Sequence, residues 1–340
     1  MADLKEIRGT RIEKLDADPT TTGYNSQLFY NSVSGTFKVN KPGTVADGAW
    51  ASGGAINQGR FKFAGLGTQT AALVAGGNAG PVIGNFLGNT ESYNGSAWTE
   101  VNDLGTARYS GDTGVGTQTA GLIFGGSQNP DDNFTESWDG TNWTEVGDMN
   151  DPRVQATGAG SQTAALAFSG FDNPLSASAA ETESWDGSSW TELADHNTTR
   201  YATTGFGSQT SAILAGGNYG PGPGIQATVE SWNGSTWTEV GDLNTGRRGI
   251  NSAGGAPSTL GLVFGGVNPS GPTQYANTES WDGTSWTEVA DLSTARSAGG
   301  GAGASQSSAI LAGGEPPSTG TTATEEWAAP EVITTTITAS

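Results

Sequence analysis

Residue types able to do chemistry are unevenly represented in this sequence. The 340 residues include no cysteine and a single histidine, His196, against 34 aspartates and glutamates. A zinc site needs several His or Cys ligands, and a serine nucleophile of the triad type needs a histidine base. One histidine and no cysteine exclude the zinc site, and because His196 is expected to be a packing residue no base is left for a triad. The catalytic arrangement that the composition still allows is a carboxylate pair that cleaves glycosidic bonds. We expect no enzyme activity, no cofactor and no metal site, with His196 as a packing residue.

Arginine and glutamate recur in step along the chain, each at intervals of 45 to 49 residues. Six arginines arranged in a ring could bind an anion such as a phosphate or an acidic sugar. The equal numbers of the two residues instead favour repeated structural ion pairs. The recurring residues are Arg60, Arg108, Arg153, Arg200, Arg247 and Arg296, with Glu91, Glu136, Glu183, Glu230, Glu279 and Glu325.

The same period governs the aromatic residues, which form five pairs five positions apart, with Trp50 and Trp327 left over at the two ends of the repeats. All eleven tryptophans and one tyrosine fall in this pattern: Tyr93, Trp138, Trp185, Trp232, Trp281 and Trp327 come first in their hairpins, and Trp50, Trp98, Trp143, Trp190, Trp237 and Trp286 come second. In "WDGTNW" the two rings can face each other across a tight antiparallel turn. Each unit divides into a Gly/Ala-rich strand after the arginine, an apolar run such as "AALVAGG", then "TESW" and "WTEV".

Six repeats of four short strands predict an all-β fold, a six-bladed β-propeller. The last repeat ends at "TEEW", residues 324–327, and lacks its fourth strand. The missing strand is present as "ADGAWASGG" at residues 46–54. We therefore expect an N-terminal strand to close the ring, which removes two free sheet edges.

Three segments follow from this parse. Residues 1–43 form an N-terminal anchoring segment in which "LFYNSVSGTFKVN" predicts a small β-hairpin around a Ser-Gly turn. Residues 44–329 form the propeller. Residues 330–340 form a C-terminal tail with strand-like alternation, whose pairing partner the sequence leaves open.

The net charge of the first 62 residues differs in sign from that of the rest of the chain. Residues 1–62 hold all five lysines and three of the nine arginines against six acids, a balance of +2, which leaves −22 for the remainder. Such an acidic body repels phosphates, so no nucleic-acid partner is expected. No stretch approaches the length of a membrane span, so we expect a soluble chain without membrane insertion.

The connections between the second and third strands vary in length and sequence, from "SQNPDDNF" to "NAGPVIGNFLGN". Diverse loops on a rigid scaffold are where binding commonly occurs. These loops bring aromatic rings close to amides and acids, and the alternative is that they are solvated turns without a ligand. The candidate ligand-binding residues are Phe86, Asp132, Phe134, Phe171, Asp172, Tyr219 and Tyr275.

The repeat resembles kelch repeats in its period, its glycine pair after an apolar strand and its aromatic pair, although Trp stands in place of the usual first Tyr. More specifically, "SQLFYNSVSGTFKV", "WASGGAINQGR", "GTQTAALVAGG" and "TESYNGSAWTE" are similar to kelch-like appendage or tail-fibre proteins of marine bacteriophages. The resemblance implies a kelch-like propeller and a virion structural protein that is assembled in the host cytoplasm and takes part in host attachment.

On this basis we expect residues 1–43 to bind other virion proteins or sister subunits in a homo-oligomer, and the loops to bind a host-surface glycan or receptor. Two alternatives stay open. One is a capsid or tail decoration protein without a receptor role, and the other is a glycan-cleaving enzyme that uses carboxylates.

Overall fold

A computed structural model describes residues 13–15, 28–42, 48–80, 84–110, 113–126, 133–172, 177–219, 224–268, 273–315, 320–329 and 332–336. These residues form strands, turns and irregular segments, with no helix among them. The chain divides into two compact units: a terminal unit of Met1–Ala49 with Ala329–Ser340, and a propeller unit of Trp50–Ala328. Strands are numbered β1 to β32 along the chain.

The terminal unit contains one four-stranded sheet in the order β1 (Glu13–Leu15), β2 (Leu28–Asn31), β3 (Thr36–Pro42) and β32 (Val332–Thr336). The predicted hairpin is confirmed, because β2 and β3 pair antiparallel. Its turn is closed by the side chain of Asn31, which accepts the backbone N–H groups of Val33 and Ser34 at 3.0 and 2.9 Å. The C-terminal strand β32 pairs antiparallel with β3, which supplies the partner that the sequence left open.

The propeller unit confirms the predicted fold: six antiparallel sheets of four strands form its six blades. Blades 1 to 3 contain β5 (Ala64–Thr68), β6 (Ala71–Ala75), β7 (Thr90–Tyr93) and β8 (Trp98–Val101); β9 (Gly114–Thr117), β10 (Ala120–Phe124), β11 (Thr135–Trp138) and β12 (Trp143–Glu145); and β13 (Thr157–Ser161), β14 (Ala164–Phe168), β17 (Thr182–Trp185) and β18 (Trp190–Glu192).

Blades 4 to 6 contain β19 (Thr204–Ser208), β20 (Ser211–Ala215), β23 (Val229–Trp232) and β24 (Trp237–Glu239); β25 (Asn251–Ser252), β26 (Gly261–Phe264), β27 (Thr278–Trp281) and β28 (Trp286–Val289); and β29 (Gly300–Ser305), β30 (Ser308–Ala312), β31 (Thr324–Ala328) and β4 (Ala49–Ser52). Two further pairs of very short strands extend the loops of blades 3 and 4: β15 (Phe171–Asp172) with β16 (Ala177–Ser178), and β21 (Asn218–Tyr219) with β22 (Gly224–Ile225).

The ring closes as the sequence predicts. The first strands of the six blades contact one another in a circle, β5, β9, β13, β19, β25, β29 and β5 again. The outermost position of blade 6 is filled by β4 from the N-terminal side of the chain. Beyond this strand the pairing continues, because the N–H groups of Gly53 and Ile56 donate to the carbonyls of Thr324 and Thr322 at 2.9 and 3.0 Å.

The core lies between blades and is built on the aromatic pairs, all six of which form. Their ring centroids are 4.8 to 5.5 Å apart. Such contacts contribute about 0.5–1.5 kcal/mol beyond the burial of the rings. The second tryptophan of a pair also reaches the preceding blade: Trp190 Nε1, for example, donates to Thr135 Oγ1 at 2.9 Å. The aromatic pairs therefore fix both the outer hairpin and the spacing of neighbouring blades.

Candidate functional site on the loop face

The loop face is the face of the propeller that carries the connections from second to third strands. Each recurring arginine lies at this face and forms an ion pair with the glutamate on the third strand of its own blade. The arginine side chains are at most 1% exposed, which removes them from contact with any ligand. The pairs are Arg60–Glu91, Arg108–Glu136 (2.8 Å), Arg153–Glu183 (2.6 Å), Arg200–Glu230 (3.1 Å), Arg247–Glu279 (2.5 Å) and Arg296–Glu325 (2.6 Å).

An asparagine three residues before the arginine completes the pair in four blades. Asn150 shows the arrangement: its backbone N–H and its side-chain amide both donate to Glu183 Oε2, at 2.8 and 2.9 Å. The amide also reaches the carbonyl of Trp190 on the outermost strand, at 3.3 Å. Our interpretation of the sequence missed these asparagines, although "NQGR", "NDPR", "NTTR" and "NTGR" contain the signal. The other two repeats have glycine and serine there, and their backbone N–H groups make the same bond to the glutamate.

The arginine backbone joins neighbouring blades. In every blade the N–H of the second residue of the glycine pair donates to the carbonyl of the next blade's arginine, at 2.8 to 3.1 Å. In blade 1 both members of the pair, Gly76 and Gly77, have positive φ, and a Cβ on Gly76 would lie 2.8 Å from the carbonyl oxygen of Arg108. Glycine is required because the backbone turns left-handed at a point where the next blade approaches closely. The arginines and glycine pairs are therefore framework.

The predicted ligand-binding residues are placed unequally. Tyr219 is the exposed aromatic among them, with 52% of its surface accessible, while Phe86, Phe134, Phe171 and Tyr275 are half-buried. Phe86 stacks on Tyr109 with centroids 5.7 Å apart, and Phe171 lies edge-on to Tyr201 at 5.2 Å. Asp132 lies outside the described residues.

The structure brings Phe171, Asp172 and Tyr219 onto two small hairpins above neighbouring blades, β15–β16 on blade 3 and β21–β22 on blade 4. Tyr201 lies at the root of the blade 4 hairpin and pairs through its backbone with Asn218. Asn218 Nδ2 donates to the hydroxyl of Tyr201 at 2.8 Å, which fixes the ring in place. We call Phe171, Tyr201, Asn218 and Tyr219 the blade 3/4 aromatic cluster. Aromatic surface beside hydroxyl and amide groups suits a ligand with both apolar and hydroxyl-bearing faces.

Sequence interpretation overlooked Tyr109 and Tyr201, which supply the partners of two loop phenylalanines. Both tyrosines follow a recurring arginine directly, in the dipeptide "RY". Each tyrosine contacts a phenylalanine of a variable loop that folds back over the start of the next blade. The local sequence around the tyrosine does not reveal such a contact. The signal that was available is the tyrosine at a framework position where the other four repeats have Phe, Val, Arg or Ser.

His196 behaves as a packing residue. It is buried beside Trp237, with ring centroids 6.3 Å apart. Its Nδ1 lies 3.9 Å from Glu230 Oε1. Burial, together with the positive charge of Arg200, lowers the pKa of His196 from 6.5 to about 3, so the imidazole is neutral at pH 7.

The buried carboxylates of the described residues are the six paired glutamates. In the same part of the chain, no three His, Asp or Glu side chains are grouped as metal ligands. No described helix is long and apolar enough to span a membrane. No protein-family model matches the chain, and no curated protein matches it.

Proposed function

We propose that the protein is a non-catalytic component of a bacteriophage virion that presents the loop face of its propeller to a host-surface glycan. The observation that carries the binding proposal is the blade 3/4 aromatic cluster, built on loops that differ between blades while the framework beneath them is repeated. The virion part of the proposal is supported by the resemblance of four sequence segments to kelch-like phage appendage proteins.

The chemistry of the cluster supports a glycan ligand. Sugar rings have an apolar face of C–H groups and a rim of hydroxyls, so they are bound by aromatic surface next to hydrogen-bonding side chains. Tyr219 offers an exposed ring, and the Tyr201 hydroxyl accepts a hydrogen bond from Asn218. Because Asn218 already holds the ring of Tyr201 in place, binding would cost little conformational entropy at this residue.

Attachment to the particle is proposed to use residues 1–43, through other virion proteins or sister subunits. The described part of this segment exposes Val33 and Phe37, at 79% and 46% of their surface, on a hairpin that also carries Lys38. Exposed apolar side chains beside a cation suit a protein partner that is partly acidic.

The proposal is tested with particles whose protein carries both Phe171→Ser and Tyr219→Ser. We expect adsorption to host cells and binding of the purified protein to host-surface polysaccharide to fall at least tenfold, with particle yield and the melting temperature close to those of the parent. The matched control is Leu260→Ser, which removes an exposed apolar side chain from the turn between first and second strands.

Equal adsorption of the double variant and the parent would contradict the binding proposal and favour a decoration protein. Release of reducing sugar from the polysaccharide by the parent protein would favour the glycan-cleaving enzyme. Loss of adsorption in the Leu260→Ser control to the same degree would show that the effect does not belong to the loop face.

A further inference from the structure

The residues two positions after the recurring arginines form a ring of backbone hydrogen bonds, which we call the axial ring. Its members are Lys62, Ser110, Gln155, Ala202, Gly249 and Ala298. The N–H of each donates to the carbonyl of the member in the preceding blade in five described cases: Ser110 to Lys62 (3.1 Å), Lys62 to Ala298 (2.7 Å), Ala298 to Gly249 (2.9 Å), Gly249 to Ala202 (2.8 Å) and Ala202 to Gln155 (3.2 Å).

The axial ring is held in an unfavourable backbone conformation. Lys62, Gln155, Ala202 and Ala298 have φ between 51° and 54°, the left-handed region that side chains other than glycine rarely adopt. Strain of this kind persists where the surrounding structure enforces it, and it is concentrated at binding sites and other functional positions.

A small cavity of about 30 Å³ lies against the axial ring. Ring members and the residues that follow them line it, and its polar lining comes from Lys62, Gln155, Thr203 and Asn251. A volume of this size exceeds the roughly 10–15 Å³ needed for one water and suits a single small occupant.

Lys62 brings a positive charge to this cavity. It is the single lysine of the propeller unit, whose other cations are seven arginines, six of them in the ion pairs. Among the described residues, no carboxylate oxygen lies within 4.0 Å of its ammonium group. The ammonium lies over the ring of Tyr109 at 5.3 Å and within the electrostatic range of Glu315 and Arg248. Burial lowers the pKa of Lys62, the expected result for a cation that lacks a close counter-ion.

Asn251 adds a second donor without an acceptor. Its side chain is 1% exposed and lines the cavity, and its Nδ2 has no hydrogen-bond partner in the structure. The hydroxyl of Thr203, also on the lining, donates to Ser169 at 3.0 Å and is already used. An ammonium group without a carboxylate within 4.0 Å and a buried amide N–H without an acceptor are complementary to a negative charge.

We propose that the axial cavity binds one small monovalent anion of about the size of chloride, held by the Lys62 ammonium and Asn251 Nδ2. The anion provides the missing counter-charge and acceptor at the point where the backbones of the blades meet. The site is independent of the glycan-binding proposal, because none of its residues belongs to the blade 3/4 aromatic cluster.

The test uses the full chain. Crystals soaked in sodium bromide are measured at the bromine absorption edge, and melting temperatures are recorded in sodium chloride and in sodium gluconate at equal ionic strength. We expect an anomalous peak between Lys62 and Asn251. Because only the folded chain has the site, the melting temperature should rise by about 5 °C at a chloride concentration near one hundred times Kd.

Lys62→Met should abolish the chloride dependence, and Asn251→Leu should weaken it, while Lys38→Met removes the same charge from the terminal unit as the control. A parent crystal with no bromide peak at the cavity overturns the proposal even where a variant fails to fold, and so do equal melting temperatures in chloride and gluconate. Chloride dependence that persists in Lys62→Met places the anion elsewhere and overturns it as well.

Discussion

The interface that closes the ring, between blades 6 and 1, differs from the interface between blades 4 and 5. At the closure two departures from the repeat face each other: Tyr93 stands where other blades have Trp, and Glu326 stands where they have Ser. The Tyr93 hydroxyl donates to the Glu326 carboxylate. Trp98 Nε1 donates to Thr324 Oγ1 at 3.2 Å, and Gln69 Nε2 donates to the carbonyl of Trp327 at 2.8 Å.

The interface between blades 4 and 5 has lost the corresponding contacts. Ser258 replaces the glutamine that reaches the preceding blade, and its hydroxyl is 2.6 Å from that of Ser211. Val229 replaces the threonine that accepts from the next blade's tryptophan. Trp286 Nε1 donates instead to the carbonyl of Gly241, at 3.0 Å. The first strand of blade 5, β25, is only two residues long.

A repeated fold tolerates fewer contacts between blades that are consecutive in the chain. Blades 4 and 5 follow each other in the chain, so the linker keeps them at a high effective concentration and weaker contacts suffice. Blades 6 and 1 are brought together by β4, whose pairing has to hold the two ends of the propeller. The interface between blades 6 and 1 has an additional charge-assisted hydrogen bond, from Tyr93 to Glu326, and such a bond is stronger than a neutral one.

Removal of the closing strand is expected to have the largest effect. Deleting residues 48–52 takes away the outer strand of blade 6 and the buried ring of Trp50, whose truncation alone costs about 3–5 kcal/mol. We expect a strongly lowered melting temperature in calorimetry. Trp286→Ala removes the corresponding second tryptophan of blade 5 without removing a strand, so it should lower the melting temperature less. A deletion variant as stable as Trp286→Ala would contradict the importance of the closing strand.

Breaking one arginine–glutamate pair is expected to come next. Arg60→Met in blade 1 and Arg247→Met in blade 5 each leave a buried glutamate without its counter-ion, and we expect losses of about 3–5 kcal/mol in urea unfolding. The two losses should agree, because the pair belongs to the blade and not to the interface. If the two losses of unfolding free energy differ by more than about 2 kcal/mol, the contacts between blades also contribute to the stability of the ion pairs.

The fold was readable from the sequence because every blade repeats one pattern, and the orphan "ADGAW" segment identifies the closing strand by elimination. The candidate site was only partly readable. Phe171 and Tyr219 were predicted from loop composition, but the contact of Phe171 with Tyr201 depends on how a variable loop returns to the blade. The pairing of Tyr93 with Glu326 joins residues 233 positions apart, and it becomes recognisable only when blades 6 and 1 are known to be neighbours.

Tyr93→Phe tests the added bond at the closure. The variant keeps the ring but leaves the Glu326 carboxylate without its hydroxyl donor, so we expect a loss of about 1–3 kcal/mol in urea unfolding at pH 7. Burial and Glu326 raise the pKa of Tyr93 to about 12, so the hydroxyl is still a donor at this pH. Phe206→Leu at the other interface is the comparison for ring packing. If Tyr93→Phe is as stable as the parent, the hydrogen bond from Tyr93 to Glu326 does not stabilise the closing interface.

Ser258→Gln restores the missing glutamine between blades 4 and 5. By analogy with Gln209, whose Nε2 reaches the preceding blade at the carbonyls of Trp185 and Ala165, we expect a gain of about 0.5–1.5 kcal/mol. The midpoint of urea unfolding measures it. A loss of stability would show that Ser211 and Ser258 leave no room for the longer side chain.

His196→Leu should have the smallest effect at neutral pH, because three of the other five repeats have leucine at this position and the remaining two have isoleucine and methionine. The folded pKa of about 3 lies below the unfolded value of 6.5, so the contribution of the neutral imidazole is complete above pH 6.5 and is lost as the pH falls towards 3. The parent should therefore lose more stability than His196→Leu between pH 6.5 and 4. Parallel pH profiles of the melting temperature would contradict the buried neutral state.

The central claim is that non-covalent contacts hold the interface between blades 6 and 1 as firmly as the interfaces between consecutive blades are held. Native-state hydrogen exchange of two equivalent amides tests it most directly. The Gly314 N–H donates to Arg60 across the closure, and the Gly217 N–H donates to Arg247 between blades 4 and 5, both at 2.9 Å. We predict that Gly314 is at least as strongly protected as Gly217. Faster exchange at Gly314 would show that the ring opens first at its closing interface and would contradict the account.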